Sequence, residues 1–167
     1  TNPPHNTDHK FQGSIPEIYD AYLVPLIFED TANDMAARVM ARTPDTVLET
    51  AAGSGVATRA LAARPPANTS CVASDLNAPM LDRAASQHAD LPQPHWQQAD
   101  ALDLPFDDAS FDALCCQFGV MFFPDRIKGY AEARRVLTPG GQFVFNVWDR
   151  IETNQFAQTV TAAAAEF

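Results

Sequence analysis

The sequence predicts an α/β fold, with a doubly wound and mostly parallel sheet and helices on both faces. From residue 46 onward, short apolar runs alternate with stretches of helical spacing, as in consecutive βαβ units. The runs 113–116 and 143–145 are continuously apolar, which is typical of strands buried on both faces. The 167 residues, 46% hydrophobic and 19% charged, suffice for one domain with an ordinary core.

The elements follow from the pattern in chain order. Residues 1 to about 12 are polar. Residues 16–42 are predicted to be helical, because Ala32, Met35 and Val39 have helical spacing. The residues Thr43-Pro44-Asp45 then end the helix. Residues 1–43 are therefore expected to form an N-terminal tail and helical cover, and residues 44–167 the main domain. The predicted strands are 46–50, 70–74, 94–98, 112–117 and 142–148, and the predicted helices are 55–64, 77–88, 125–137 and a segment from about 154.

The C-terminal part carries two further expectations. Pro139-Gly140-Gly141 predicts a turn between the helix 125–137 and the strand after it. The chain then ends inside a helix on the apolar residue Phe167, without a capping signal and after five predicted strands. We therefore expect a fragment whose C-terminal strands are missing.

Charge and cysteine usage narrow the class of partner. Eleven basic and twenty-one acidic residues give a net charge of −10, which disfavours nucleic acid because phosphate neutralisation dominates that binding. No apolar run reaches membrane-spanning length, and no secretory or transit pattern opens the chain. Cys71, Cys115 and Cys116 lack metal-site or disulfide spacing. These features predict a cytoplasmic protein with reduced thiols and no metal, acting on small molecules; they leave its oligomeric state open.

The most informative segment runs from Val47 to Gly55, where a short apolar strand is followed by small residues. Gly53 and Gly55 lack the Cβ atoms that would keep a ligand away from the backbone, so the segment predicts a cofactor-binding loop. Glu49 at the strand end indicates the kind of cofactor, because a carboxylate attracts an ammonium group and repels phosphate. A dinucleotide site is the main alternative, since residues 53–58 nearly match GxGxxG.

Ligands of open α/β sheets bind at the carboxyl ends of the strands. Asp75, twenty positions after Gly55, is placed to accept hydrogen bonds from a ribose diol. Leu76 and Met80 follow it and could sandwich a purine, although Met80 is equally compatible with the core. An acid at a strand end can also simply cap the next helix. The candidate site residues at the strand ends are Glu49, Ala51, Gly53, Gly55, Asp75, Asp100, Ala101, Gln117 and Phe118.

Together these residues resemble a class I S-adenosylmethionine-dependent methyltransferase of the ubiquinone/menaquinone C-methyltransferase-like group. The resemblance extends from about Val47 to Trp148. It comprises the first motif 47–55, the ribose motif Ser74-Asp75, an adenine region formed by Asp100-Ala101, 104–106 and 110–112, and the segment 135–141.

The resemblance implies a Rossmann-like fold, S-adenosyl-L-methionine as cofactor, and in-line methyl transfer to an O, N or C atom of a small molecule. By the same resemblance, Asp75 binds the ribose hydroxyls, Asp100 the adenine amino group, Ala101 the ring edge and Gln117 the methionyl side. Ala51 replaces the family's usual first glycine, and its methyl group is tolerable if φ stays negative.

Substrate and catalytic residues are less clearly indicated. Tyr19 lies with Tyr22 in the N-terminal segment that covers the active site in related enzymes, and Tyr19 and Phe118 are candidate substrate contacts. His88 and His95 fall at a helix end and a strand start, away from the expected cleft, so no general base is identified. A non-catalytic S-adenosylmethionine-binding module is the alternative function, and a NAD(P)-dependent oxidoreductase is a less favoured one.

Overall fold

The computed structural model describes residues 27–64, 68–91, 94–150 and 153–164. Each predicted strand and helix from residue 46 onward has a counterpart there. The helices are α1 (Glu29–Met40), α2 (Val56–Ala62), α3 (Ala78–Gln87), α4 (Arg126–Val136) and α5 (Gln155–Ala164), with a short 3₁₀ helix at Val120–Phe122. The strands are β1 (Thr46–Glu49), β2 (Ser70–Asp75), β3 (Pro94–Gln98), β4 (Phe111–Gln117) and β5 (Leu137–Asn146).

The five strands form one sheet in the order β3-β2-β1-β4-β5, and every neighbouring pair is parallel. The chain runs outward from β1 to β3 and then returns to place β4 on the other side of β1. This reversal makes the gap between β1 and β4 the topological switch point, where α/β proteins bind their ligands. The predicted doubly wound sheet is thereby confirmed.

Both faces of the central strands are buried, as the apolar runs predicted. On one face, residues of α1 and α2 pack with Val47 of β1 and Cys115 of β4. On the other face, Leu48 and Leu114 pack with Val136 of α4. Alternate residues of one strand thus enter opposite halves of the core. Because α1 shares this core, at least residues 29–40 belong to the layer that covers the sheet; the cover predicted over 1–26 lies outside the described residues.

The start of β5 differs from the prediction. The strand begins at Leu137 rather than at residue 142, and Pro139-Gly140-Gly141 lies within it instead of forming a separate turn. The pairing register jumps from Phe111–Leu137 to Ala113–Gln142, so the extra residues bulge out of the ladder. Gly140 has a φ of 85°, which suits such an irregularity.

Asp112 joins the amino ends of three strands. Its Oδ2 atom accepts hydrogen bonds from the backbone N–H groups of Asp45 and Thr46 and from Thr46 Oγ1, each at 3.1 Å. Its Oδ1 atom accepts one from Thr138 Oγ1 at 3.3 Å. Asp112 therefore lies at the opposite end of the sheet from the predicted site, so its expected place in the adenine region is wrong.

The Asp112 cluster predicts a pH-dependent contribution to stability. Burial alone would raise the pKa of Asp112, but the hydrogen bonds from Thr46, Asp45 and Thr138 outweigh it and hold this pKa below its usual value. The contribution is therefore present above the unfolded-state pKa and is lost as the pH falls through the lower folded-state pKa. We expect Asp112→Asn to lower the free energy of unfolding by about 1–3 kcal/mol at pH 7, measured by urea denaturation.

The matched control is Asp82→Asn, which changes an exposed carboxylate on α3. This control is expected to unfold like the wild type. Equal stability of wild type and Asp112→Asn at pH 7 would show that the cluster does not stabilise the sheet.

Candidate functional site

The segment that follows β1 lies at the carboxyl edge of the sheet, between the ends of the two neighbouring strands. The N–H of Thr50 donates to the carbonyl of Cys115 in β4, and the N–H of Ala52 donates to the carbonyl of Ser74 in β2, both at 2.9 Å. Residues 50–55, here called the β1 loop, are therefore fastened on both sides of β1. This places the loop at the switch point.

Three residues of the β1 loop have left-handed backbone conformations. The φ angles are 54° at Ala51, 55° at Gly53 and 81° at Gly55. A Cβ atom at Gly55 would also lie 2.8 Å from Cη2 of Trp96 and 2.9 Å from Cδ2 of His88. Gly55 is thus required both by its backbone conformation and by the close approach of these two rings.

Ala51 does not meet the condition that the sequence set for it, because its φ is positive. A Cβ atom at Gly119 would come within 2.5 Å of the Ala51 Cβ and 2.6 Å of Cys116 Sγ. The methyl group of Ala51 is therefore accommodated because residue 119 has no side chain. A left-handed alanine costs about 1 kcal/mol relative to glycine, so the β1 loop stores strain at this position.

Glu49 is buried rather than open to a ligand. Its carboxyl group is 1% exposed, and Oε2 accepts a hydrogen bond from Oγ1 of Thr58 in α2 at 2.5 Å. Burial raises the pKa of Glu49 to about 8; the Thr58 hydrogen bond opposes this shift and the nearby Asp75 carboxylate adds to it. The group is thus mostly protonated at pH 7, and the negative charge expected to repel pyrophosphate is largely absent in this structure.

Asp75 connects the end of β2 to the β1 loop and to the start of α3. Its Oδ2 accepts a hydrogen bond from the N–H of Gly53, and its Oδ1 accepts one from the N–H of Asn77, both at 2.8 Å. Asn77 in turn caps α3 by accepting from the N–H of Met80 at 3.1 Å. The N–H of Gly53, in the predicted cofactor-binding loop, is therefore bound to Asp75 in this structure.

The two apolar candidates near Asp75 have different environments. Leu76 is 50% exposed, so its side chain is accessible to a ligand. Met80 is 9% exposed, and its Cε atom lies 4.0 Å from the position that a Cβ atom would take at Gly53. Met80 thus lines the underside of the β1 loop while Leu76 faces solvent.

The segment after β3 is tied to Asp75. The N–H of Ala99 donates to the carbonyl of Asp75 at 3.0 Å, which brings the following residues to the same edge of the sheet. The exposed Asp100 accepts from the N–H of Leu102 at 2.9 Å and starts a turn that contains Ala101. Asp75 and Asp100 therefore follow adjacent strands, as the predicted adenosine site would require.

The candidate residues at the end of β4 already make contacts within the protein. Nε2 of Gln117 donates to the carbonyl of Phe28 and to Oγ1 of Thr31, both at 2.9 Å, which fixes the amide to the start of α1. The ring of Phe118 stacks on Trp148 with a centroid distance of 4.0 Å and meets Phe28 edge to face. A ligand contact by Phe118 thus requires movement of a neighbouring ring, and the roles predicted for Gln117 and Phe118 stay predictions.

His88 lies against the β1 loop, a contact that the sequence did not predict, and its expected position away from the cleft stays a prediction. Its Nε2 is 3.2 Å from the carbonyl oxygen of Ser54, and its ring stacks on Trp96. The pattern predicted that His88 ends a helix, but it did not predict that α3 packs against the loop. The imidazole supports the loop through this contact.

Ser54 and Thr58 are functional candidates that the sequence analysis passed over. Ser54 is 5% exposed, and its Oγ has no hydrogen-bond partner within the described part of the chain. A buried hydroxyl without a partner is costly, so the β1 loop fits a ligand that supplies a polar atom. The signal that could have revealed Thr58 is its position three residues after Gly55, in the first turn of α2 beside Glu49.

Two tyrosines of the predicted cover, a metal cluster and a membrane span remain to be considered. Tyr19 and Tyr22 fall outside the described residues. Within residues 27–64, 68–91, 94–150 and 153–164, no three His, Cys, Asp or Glu side chains cluster as a metal site would need. None of the helices described there combines the length and apolar character of a membrane span.

The fold and the geometry of the site indicate the class of protein. A doubly wound parallel sheet with a glycine-containing loop and two acids at its switch point is the architecture of α/β proteins that bind nucleotide-like cofactors. Residues 48–145 match the sequence family described as "Methyltransferase domain". This match covers more than half of the 167 residues, and the chain belongs to that family.

The similar proteins agree with this assignment. The chain is 44% identical over 111 residues to the demethylmenaquinone methyltransferase of Deinococcus radiodurans, covering 65% of this chain and 45% of the relative. It is 34% identical over 119 residues to the 2-phytyl-1,4-naphtoquinone methyltransferase of Trichormus variabilis, covering 70% and 52%. The resemblance to the quinone C-methyltransferase-like group is confirmed. The chain spans about half the length of these curated relatives.

A solved structure supports the fold alone. A candidate S-adenosyl-L-methionine-dependent methyltransferase of Methanococcus maripaludis superposes with a TM-score of 0.72 at 22% identity. The superposition covers 90% of this chain and 69% of that one. The predicted α/β fold class thus agrees with an independent structure.

The strain at Ala51 predicts an unusual stabilising substitution. Glycine adopts a φ of 54° without steric cost, whereas alanine does not. We expect Ala51→Gly to raise the free energy of unfolding by up to about 1 kcal/mol, measured by thermal and urea denaturation.

Ala52→Gly is the matched control, because Ala52 is buried and is not among the left-handed residues. It should be destabilising by about 0.5–1 kcal/mol, since glycine gains chain entropy in the unfolded state. If both variants were destabilised alike, the strain assigned to Ala51 would be wrong.

Proposed function

We propose that the protein is an S-adenosylmethionine-dependent methyltransferase that acts on a small molecule. The observation that carries the proposal is the contact between Asp75 and Gly53, which joins the predicted ribose-binding acid to the β1 loop at the switch point. Membership of the methyltransferase-domain family supports S-adenosyl-L-methionine as the cofactor.

The residues at this edge can hold such a cofactor without losing their present contacts. Each oxygen of a carboxylate can accept two hydrogen bonds. Asp75 can therefore accept the ribose hydroxyls while it still binds the N–H groups of Gly53 and Asn77. The exposed carboxylate of Asp100 would accept the adenine amino group, with Ala101 at the ring edge. Ser54 Oγ would supply a further polar contact on the methionine side.

The chemistry places modest demands on the protein. The bound cofactor supplies an electrophilic methyl group on a sulfonium, and the leaving group departs neutral. The chain's own residues then have to orient the two reactants and exclude water, and orientation alone can contribute several kcal/mol. His88 is not proposed as a general base, because its Nε2 lies at the Ser54 carbonyl beneath the loop.

We further propose a quinone-like ring as the methyl acceptor. The relatives named for demethylmenaquinone and 2-phytyl-1,4-naphtoquinone support this choice over other O, N or C acceptors. Trp148 is 44% exposed and stacks on Phe118 beside the ends of β4 and β5, so it offers apolar surface for such a ring. The three unpaired, buried cysteines support work in the cytoplasm.

Two other functions remain distinguishable by simple measurements. A non-catalytic module would bind S-adenosylmethionine but transfer no labelled methyl group to a quinol or to a metabolite extract. A NAD(P)-dependent oxidoreductase would be stabilised against heating by NAD(H) and not by S-adenosylhomocysteine. The protonated Glu49 weakens the charge argument against that alternative, whereas the family membership opposes it.

Calorimetry with S-adenosylhomocysteine tests the proposal directly. We expect the wild type to bind and Asp75→Asn to bind roughly 10- to 100-fold more weakly, because hydrogen bonds to a charged acceptor are lost. Asp90→Asn, an exposed acid after α3, is the matched control and should bind like the wild type. Absence of binding by the folded wild type, or equal binding by Asp75→Asn, would contradict the proposal.

A further inference from the structure

Thr58 and Glu49 form a buried hydrogen-bonded pair at the β1 loop, and the proposed function gives Thr58 no role. Each side chain belongs to a residue that is only 1% exposed, and Oγ1 of Thr58 donates to Oε2 of Glu49 at 2.5 Å. The pair joins the end of β1 to the first turn of α2. The loop that would hold a ligand lies between these two residues in the chain.

The surroundings of Glu49 oppose its ionisation. Asp75 of β2 is a nearby carboxylate, and the neighbouring thiols are Cys71 of β2 and Cys115 and Cys116 of β4. Burial raises the pKa of Cys71 to about 12 and that of Cys116 to about 11, so these thiols are neutral. Thr58 is the group that favours the ionised form, by donating its hydroxyl hydrogen to the carboxylate.

The cations of the adjacent helices are committed elsewhere. Arg59 of α2 pairs with Glu29 of α1 at 3.1 Å, and Arg38 of α1 pairs with Asp34 at 2.7 Å, all four at the surface. Asp30 of α1 is also exposed. In these two helices, no described cation is left to pair with Glu49, so we expect the positive charge to come from a ligand.

We propose that Thr58 is a positioning residue for Glu49, and that a ligand ammonium bound at the β1 loop causes Glu49 to release its proton. The proton passes to solvent, the carboxylate that forms stays hydrogen-bonded to Thr58, and the ligand keeps its own charge. This inference rests on the proposed function, because it assigns the ammonium to the amino-acid part of the cofactor.

The physical reason is the low dielectric around the pair. An ammonium at the loop interacts with an ionised Glu49 far more strongly than it would in water, even without direct contact. This attraction offsets the free-energy cost of ionising a buried carboxyl group. The hydrogen bond from Thr58 already makes that cost smaller. Below pH 8, where Glu49 is mostly protonated, ligand affinity should therefore rise with pH, and above that value the increase should level off.

Two ligands separate this coupling from binding in general. S-adenosylhomocysteine carries the ammonium group, whereas 5′-methylthioadenosine has the same nucleoside without the amino acid. Calorimetry at pH 7 in phosphate and in Tris measures the protons released, because the two buffers differ in ionisation enthalpy. We expect close to one proton per S-adenosylhomocysteine, none with 5′-methylthioadenosine, and none from Glu49→Gln with either ligand.

Variants of Thr58 test the positioning role. Thr58→Val keeps the shape and removes the hydroxyl, so it should bind S-adenosylhomocysteine roughly tenfold more weakly at pH 7 and 5′-methylthioadenosine as the wild type does. Thr58→Ser should restore the affinity. The carbon-13 resonance of the Glu49 carboxyl should titrate at a higher pH in Thr58→Val than in the wild type and in Thr58→Ser.

Each outcome decides a separate point. S-adenosylhomocysteine binding without proton release would overturn this inference and leave the proposed function standing. An equal loss of affinity for both ligands in Thr58→Val would reduce Thr58 to a structural role. Failure of the folded wild type to bind either ligand would overturn the proposed function and the inference with it. If Thr58→Val does not fold, the proton counts of wild type and Glu49→Gln still decide.

Discussion

The hydrogen bond from the Gly53 N–H to the Asp75 carboxylate is the interaction on which the site depends. It fixes the middle of the β1 loop to the end of β2, while backbone bonds from Thr50 and Ala52 fix its start to β4 and β2. These hydrogen bonds stabilise a loop in which three of six residues, Ala51, Gly53 and Gly55, have left-handed backbone conformations. The same carboxylate holds the start of α3 through Asn77. A single acid thus connects the loop to the helix on either side of the proposed nucleoside position.

Two acids of similar sequence context have opposite physical states. Asp75 is half-buried, and its carboxylate accepts hydrogen bonds from two backbone N–H groups. These bonds stabilise the ionised form. Glu49 is sealed in the core with one hydroxyl donor, and burial raises its pKa to about 8. The two acids are therefore suited to different interactions with a ligand. Asp75 can accept hydrogen bonds from a ligand. Glu49 is mostly protonated at pH 7, and a bound cation would favour its ionised form.

The sequence was sufficient for the fold because the signals that specify it are local. Buried apolar runs, helical spacing and turn residues gave the alternation of elements, and the resemblance gave the family. The features that the sequence did not predict depend on contacts between segments that are distant in the chain. The space at Gly119 allows a left-handed Ala51, the bulge at Gly140 extends β5, and the rings of His88 and Trp96 close on Gly55. Burial of Glu49 likewise depends on contacts among several elements, so the residue type alone did not reveal that burial raises its pKa.

The most direct test is a crystal structure of the protein with S-adenosylhomocysteine. We expect the ribose hydroxyls on Asp75, the adenine beside Asp100 and Ala101, and the amino-acid part along residues 51–55. We also expect Asp75 to keep its hydrogen bond to the Gly53 N–H. Density for the nucleoside away from the carboxyl ends of β1 and β2, or an Asp75 turned away from both ligand and loop, would contradict it.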